Sequence, residues 1–174
     1  MRLFIAVQLS SPVKDTLCQA IESLKKRSLQ GNFTRRENLH LTLAFLGETA
    51  RLAAAKRVLD ELKLPPPFSL TISGLGRFRR EGGDIWWAGA VPNDALSDLA
   101  TQLMARLERT GFPVEKRPFK PHLTLGRQVV LQGRPEELPP VKMEVDRISL
   151  MKSERLAGTL TYTEVYAKVF LPSD

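Results

Sequence analysis

The chain has 174 residues, 43% of them hydrophobic and 26% charged, with a formal net charge of +7. That length suits one compact domain over residues 1–174, and the composition excludes a chain disordered along its length; only Pro172-Ser173-Asp174 is read as disordered. A single cysteine, Cys18, excludes a disulfide framework and a cysteine-rich zinc site, and makes the cytoplasm the expected compartment.

Leu3 to Leu9 is a short apolar, β-prone run, read as the first strand. It is too short to cross a membrane and lacks a signal-peptide cleavage pattern. Ser10 or Ser11 can cap a helix with Pro12 in its first turn. Val13, Leu17, Ile21 and Leu24 recur at helical spacing, and the helix is expected to run to about Leu29, ended by Gly31-Asn32. Asn38 to Leu46 reads as a strand stopped by Gly47, and Thr49 begins a second helix that ends before Pro65-Pro66-Pro67. Phe68, Leu70 and Ile72 alternate with polar residues, which marks a half-buried strand to Leu75. Gly82-Gly83 turns the chain into a strand over Ile85 to Val91, where one of Trp86 and Trp87 faces the core. Asn93 or Asp94 caps a third helix closed by Gly111; His122 to Val129, Val141 to Met151 and Tyr162 to Leu171 complete the strands. The interspersed pattern predicts an α+β fold with mostly antiparallel sheet.

The chain's only two histidines stand in identical tetrads, His40-Leu41-Thr42-Leu43 and His122-Leu123-Thr124-Leu125, one in each half. On a strand, residues two apart share a face. His40 and Thr42 therefore point one way while Leu41 and Leu43 anchor the strand in a core, and the second tetrad divides likewise. If the halves are related by an approximate two-fold axis, the two His-Thr faces look at each other across a cleft. Opening a cyclic phosphodiester needs a base to take a proton from water and an acid to protonate the leaving oxygen. Histidine titrates near pH 6.5, so one neutral and one protonated imidazole can coexist near neutrality. Threonine hydroxyls can donate to non-bridging oxygens as charge develops there. The pair needs no metal or other cofactor, and two histidines without a carboxylate or cysteine at ligand spacing make a poor zinc site.

Asn38-Leu39-His40-Leu41-Thr42-Leu43-Ala44-Phe45-Leu46-Gly47-Glu48 and Pro118-Phe119-Lys120-Pro121-His122-Leu123-Thr124-Leu125-Gly126-Arg127 resemble the two HxTx motifs of the two-histidine (2H) phosphoesterases. The closest resemblance is to the RNA 2′,3′-cyclic phosphodiesterases, also called 2′-5′ RNA ligases. Arg2 to Val7 and Tyr162 fit the same family. The resemblance implies two pseudo-symmetric lobes, each a small mostly antiparallel sheet backed by helices, with the active-site groove between them. It implies that His40 protonates the leaving 3′ oxygen, that His122 activates water, that Thr42 and Thr124 hold the phosphate, and that the product carries a 2′-phosphate. The partner would be an RNA or oligonucleotide with a 2′,3′-cyclic phosphate end. The same histidines could serve the reverse direction, 2′-5′ ligation.

Arg127 matches a position where the family carries arginine. It lies an odd number of residues from His122, so simple alternation turns it away from the cleft unless Gly126 re-aims the strand. Phe45 stands at the corresponding offset after the first motif and suits either base stacking or core packing. A groove within one chain predicts a monomer. The alternative function is a non-catalytic RNA-binding module with a basic groove. Gly74-Leu75-Gly76 is no dinucleotide fingerprint, since the following helix and third glycine are absent.

Overall fold

A computed structural model describes residues 1–172; Ser173 and Asp174, within the stretch read as disordered, lie outside the described residues. The elements in order are β1 (Arg2–Gln8), α1 (Ser11–Lys26), β2 (Ser28–Phe33), a single 3-10 turn (Arg36–Asn38), β3 (His40–Glu48), α2 (Leu52–Asp60), β4 (Phe68–Phe78), β5 (Asp84–Ala90), α3 (Asp94–Arg109), β6 (His122–Leu131), β7 (Val141–Val145), β8 (Arg147–Leu156) and β9 (Thr159–Val169). The fold is α+β. The strands form two antiparallel sheets, one in the order β3-β1-β8-β9 and the other β2-β6-β5-β4-β7.

Each histidine motif occupies its own sheet, but the sheets are not the two halves of the chain. β2 leaves the N-terminal half to pair with β6, and β8 and β9 return from the C-terminal end to flank β1. The helices are exchanged as well. α1 follows β1 of the first sheet and lies against β2, β6 and β7 of the second; α3 follows β5 of the second sheet and contacts β3 of the first. One cluster of buried side chains therefore spans both sheets, with Ile5 and Leu41 from one, Leu123 and Leu125 from the other, and Leu17 and Leu103 from the helices.

Ser10 caps α1 through its hydroxyl, which accepts from Val13 N, with Pro12 in the first turn, and Asn93 caps α3 by accepting from Leu96 N. α1 ends at Lys26, short of the expected Leu29. Leu24 is its last buried residue, and Leu29 is 66% exposed on β2, so Leu29 never belonged to the helical stripe. α2 starts at Leu52, because Thr49 is held in the preceding turn, its Oγ1 accepting from Arg51 N at 3.0 Å. The run read as one strand from Val141 to Met151 is two. It breaks at Asp146, whose carbonyl accepts from Phe170 N, and there the chain crosses from the second sheet to the first.

Candidate active site

His40 opens β3 and His122 opens β6, and these two strands meet where the sheets face each other. In each motif the leucines are fully buried while histidine and threonine are only part-covered, as strand alternation requires. Each imidazole is fixed in the same way. His40 Nδ1 lies 2.6 Å from the Asn38 carbonyl and His122 Nδ1 lies 2.8 Å from the Lys120 carbonyl, two residues back in both cases. A carbonyl can only accept, so each Nδ1 carries a proton and donates it. That leaves Nε2 of each ring as the nitrogen free to exchange a proton.

The two rings have different surroundings. His40 packs against Phe4 at 4.9 Å and meets the edge of Tyr162 at 5.2 Å, and its Nε2 is 2.8 Å from Thr42 Oγ1. The 3-10 turn beneath it is held when Asn38 Nδ2 donates to Leu160 O of β9. Beside His40 in register stands Gln8, whose amide donates to Ser149 Oγ at 3.1 Å and to Glu164. His122 packs against Phe78 at 5.2 Å and Trp87 at 6.2 Å. Of the tryptophan pair, Trp86 is 7% exposed in the core and Trp87 lies on the His122 side.

Arg127 is the residue for which strand parity gave the wrong face. The β5–β6 register pairs Trp87 with Thr124 but Trp86 with Gly126, so Leu125 and Gly126 together occupy one step. Both are buried, and Arg127 returns to the side of His122 and Thr124. The first motif has the same irregularity: Ala6 pairs with Thr42 and Ile5 with Ala44, so Phe45 returns to the face of His40 and stands 58% exposed, 6.3 Å from Phe4. Arg127 is close enough to act on groups of the opposite sheet. Burial lowers the His40 pKa; the Asn38 carbonyl opposes this, and the charges of Arg127 and Lys14 add to it. Burial raises the Tyr162 hydroxyl, against the charges of Arg127 and Arg2. Tyr162 is thus a neutral donor at the groove.

Thr42 and Thr124 share the faces of their histidines. Thr34 and Arg35 together join the sheets at this point: the Thr34 N–H and hydroxyl donate to the Leu125 and Thr124 carbonyls of β6, and Arg35 donates to Leu160 O of β9. Among the described residues, no three His, Cys, Asp or Glu side chains gather as metal ligands. Among the same residues, no helix is long and apolar enough to cross a membrane. Sequence reasoning passed over Phe4, Phe78 and Lys14, because their places depend on strand register and on the docking of α1, for which single residues carry no signal.

A family model for the 2′-5′ RNA ligase superfamily matches residues 13–157. An RNA 2′,3′-cyclic phosphodiesterase of Thermotoga maritima is 34% identical over 179 residues, covering 97% of this chain and 92% of that one. One from Methanothermobacter thermautotrophicus is 30% identical over 178 residues, covering 95% and 96%. Among solved structures, Escherichia coli LigT complexed with 3′-AMP superposes with a TM-score of 0.83 at 28% identity, with 97% of each chain covered.

Proposed function

The chain belongs to the 2′-5′ RNA ligase superfamily, and from that premise we propose that it hydrolyses RNA 2′,3′-cyclic phosphate ends to 2′-phosphates, with His40 and His122 as acid and base. The observation that carries the reading is the matched tethering of the two imidazoles. Both donate Nδ1–H to the carbonyl two residues back, on strands of two sheets that contact each other, so each keeps Nε2 as its exchangeable nitrogen. The curated relatives, named RNA 2′,3′-cyclic phosphodiesterases, support the reaction class.

In the proposed step, His122 Nε2 takes a proton from water as its oxygen bonds to phosphorus. The bond from phosphorus to O3′ breaks, and His40 Nε2 gives its proton to O3′. The product has a 2′-phosphate and a free 3′ hydroxyl. Thr42, Thr124 and Arg127 hold the non-bridging oxygens, the guanidinium supplying charge-assisted bonds. Free His40 has a lowered pKa, which disfavours the acid form; an anionic phosphate bound beside Arg127 offsets the cationic field and restores the proton. A 5′ hydroxyl in place of water would form a 2′-5′ linkage by the same proton transfers. One chain supplies every group, so the proposed unit is a monomer.

The test replaces both histidines with alanine. Turnover of a cyclic-phosphate RNA is lost, and RNA binding, measured by anisotropy, survives. Unchanged turnover in the double variant refutes the mechanism. A wild-type protein that binds RNA without turning it over would make it a binding module.

A further inference from the structure

We propose that the end of the β4–β5 hairpin, with the Lys120 side chain, forms a second nucleotide subsite that holds the RNA residue preceding the cyclic-phosphate nucleotide. This rests on the function proposed above and adds the substrate's length to it: the natural substrate is a strand, not a free cyclic mononucleotide.

The hairpin brings two aromatic rings, Phe78 and Trp87, to His122, and Phe78 is met by two cations, Arg80 from the hairpin and Lys120 from the segment before β6. Phe78 meets His122 edge-on at 5.2 Å. The Arg80 guanidinium lies 5.7 Å from the Phe78 centroid, and Lys120 Nζ lies 5.9 Å from Phe78 and 5.3 Å from Trp87. Phe78 and Arg80 are two residues apart and share this side. Arg77 alternates to the other side, where it lies over the buried Trp86 and donates to Asp84 Oδ2. The hairpin's acidic residues are Asp84 and Glu81. Asp84 is occupied by the Arg77 side chain and the Arg80 main-chain N–H, and Glu81 is exposed at the tip. Among the described residues, neither the Arg80 guanidinium nor the Lys120 ammonium is paired with a carboxylate. Exposed cation–π contacts are weak, so both cations are available to a phosphate.

The platform is also fixed in place. Gln30 Nε2 donates to Gly82 O at 2.9 Å and to Gln128 O at 3.2 Å, tying the turn to β2 and β6. A ring overlain by cations that no carboxylate holds suits single-stranded RNA, whose bases stack on aromatic faces while basic groups, released from the ring, track the backbone. It abuts His122, so the nucleotide that fits is the neighbour of the reacting one.

The experiment compares uridine 2′,3′-cyclic phosphate with a dinucleotide carrying the same cyclic end. The wild-type kcat/KM is about tenfold higher for the dinucleotide, mainly through KM, and the dinucleotide KM rises more steeply with salt. In Arg80→Glu and in Lys120→Gln the dinucleotide-to-mononucleotide ratio falls towards one. In Lys63→Glu, a charge change at an exposed position after α2, the ratio stays at the wild-type value. A wild-type ratio near one, or a ratio retained in both hairpin-side variants, overturns the subsite. Hydrolysis of neither substrate overturns the proposed function and the subsite with it. A variant that misfolds loses mononucleotide turnover too, and the wild-type ratio and salt slope then decide.

Discussion

Each imidazole in this chain has one nitrogen committed to a main-chain carbonyl, Asn38 for His40 and Lys120 for His122, so the tautomer is set by the backbone. Under the proposed mechanism, His40→Ala and His122→Ala each lower kcat by about 10²–10⁴, with KM little changed; steady-state kinetics on a cyclic-phosphate RNA checks this. The pH dependence separates the two rings. Burial, helped by Arg127 and Lys14, lowers the His40 pKa in the free protein. As the acid, His40 must be protonated, so activity falls as pH rises through its pKa. The alkaline limb of kcat/KM, which reports the free protein, then lies at lower pH than that of kcat, which reports the complex. Arg127→Gln removes a charge that lowers His40, so the kcat/KM limb moves up in pH while KM rises several-fold. A limb that stays put in this variant contradicts the placement of Arg127 against His40. The histidines and threonines were legible in the sequence because identical tetrads repeat around the only two histidines. Phe4, Phe78 and Lys14 were not, because they reach the site only once register and helix docking bring them there.

At the scale of the element, the two motif strands carry the same bulge just past the threonine, at Leu43-Ala44 and Leu125-Gly126, and so re-aim Phe45 and Arg127. Period-two alternation gives the observed facing of His40, Thr42, His122 and Thr124 but not of Arg127, since a bulge shifts parity by one. The β6 strand has a further irregularity at Gln128, where φ is +54°, and the β4–β5 turn packs on it. Gly83 sits there at φ +134°, and a Cβ would lie 2.4 Å from the Gln128 main chain. Gly83→Ala is therefore predicted to destabilise the fold by about 1–3 kcal/mol, read as a lower urea midpoint; an unchanged midpoint contradicts the close packing. α1 and α3 were legible from their apolar stripes and caps, and α2, which has no side-chain cap, from its stripe alone. β2 was not, because its apolar Leu29 faces solvent and Gly31 interrupts any strand pattern. The break at Asp146 was hidden for the opposite reason: strand-prone residues continue through it while the partner strands change.

In the whole molecule, the exchange of α1 and α3 between sheets, and the crossing of β2, β8 and β9, put one core beneath both motifs. The two histidines are thus held by a shared framework, which suits acid–base transfer across a fixed gap. The α+β class and the two facing motifs could be read from the chain; the crossing could not, since sequence order suggests lobes made of consecutive halves. The central claim is that two histidines suffice to open the cyclic phosphate towards the 2′ side. The most direct measurement incubates the protein with a chelator and a short RNA ending in 2′,3′-cyclic phosphate, and reads the product by ³¹P NMR. The account predicts full conversion to a 2′-phosphate in the presence of the chelator. Activity lost with the chelator and restored by a divalent metal, or a 3′-phosphate product, would contradict it.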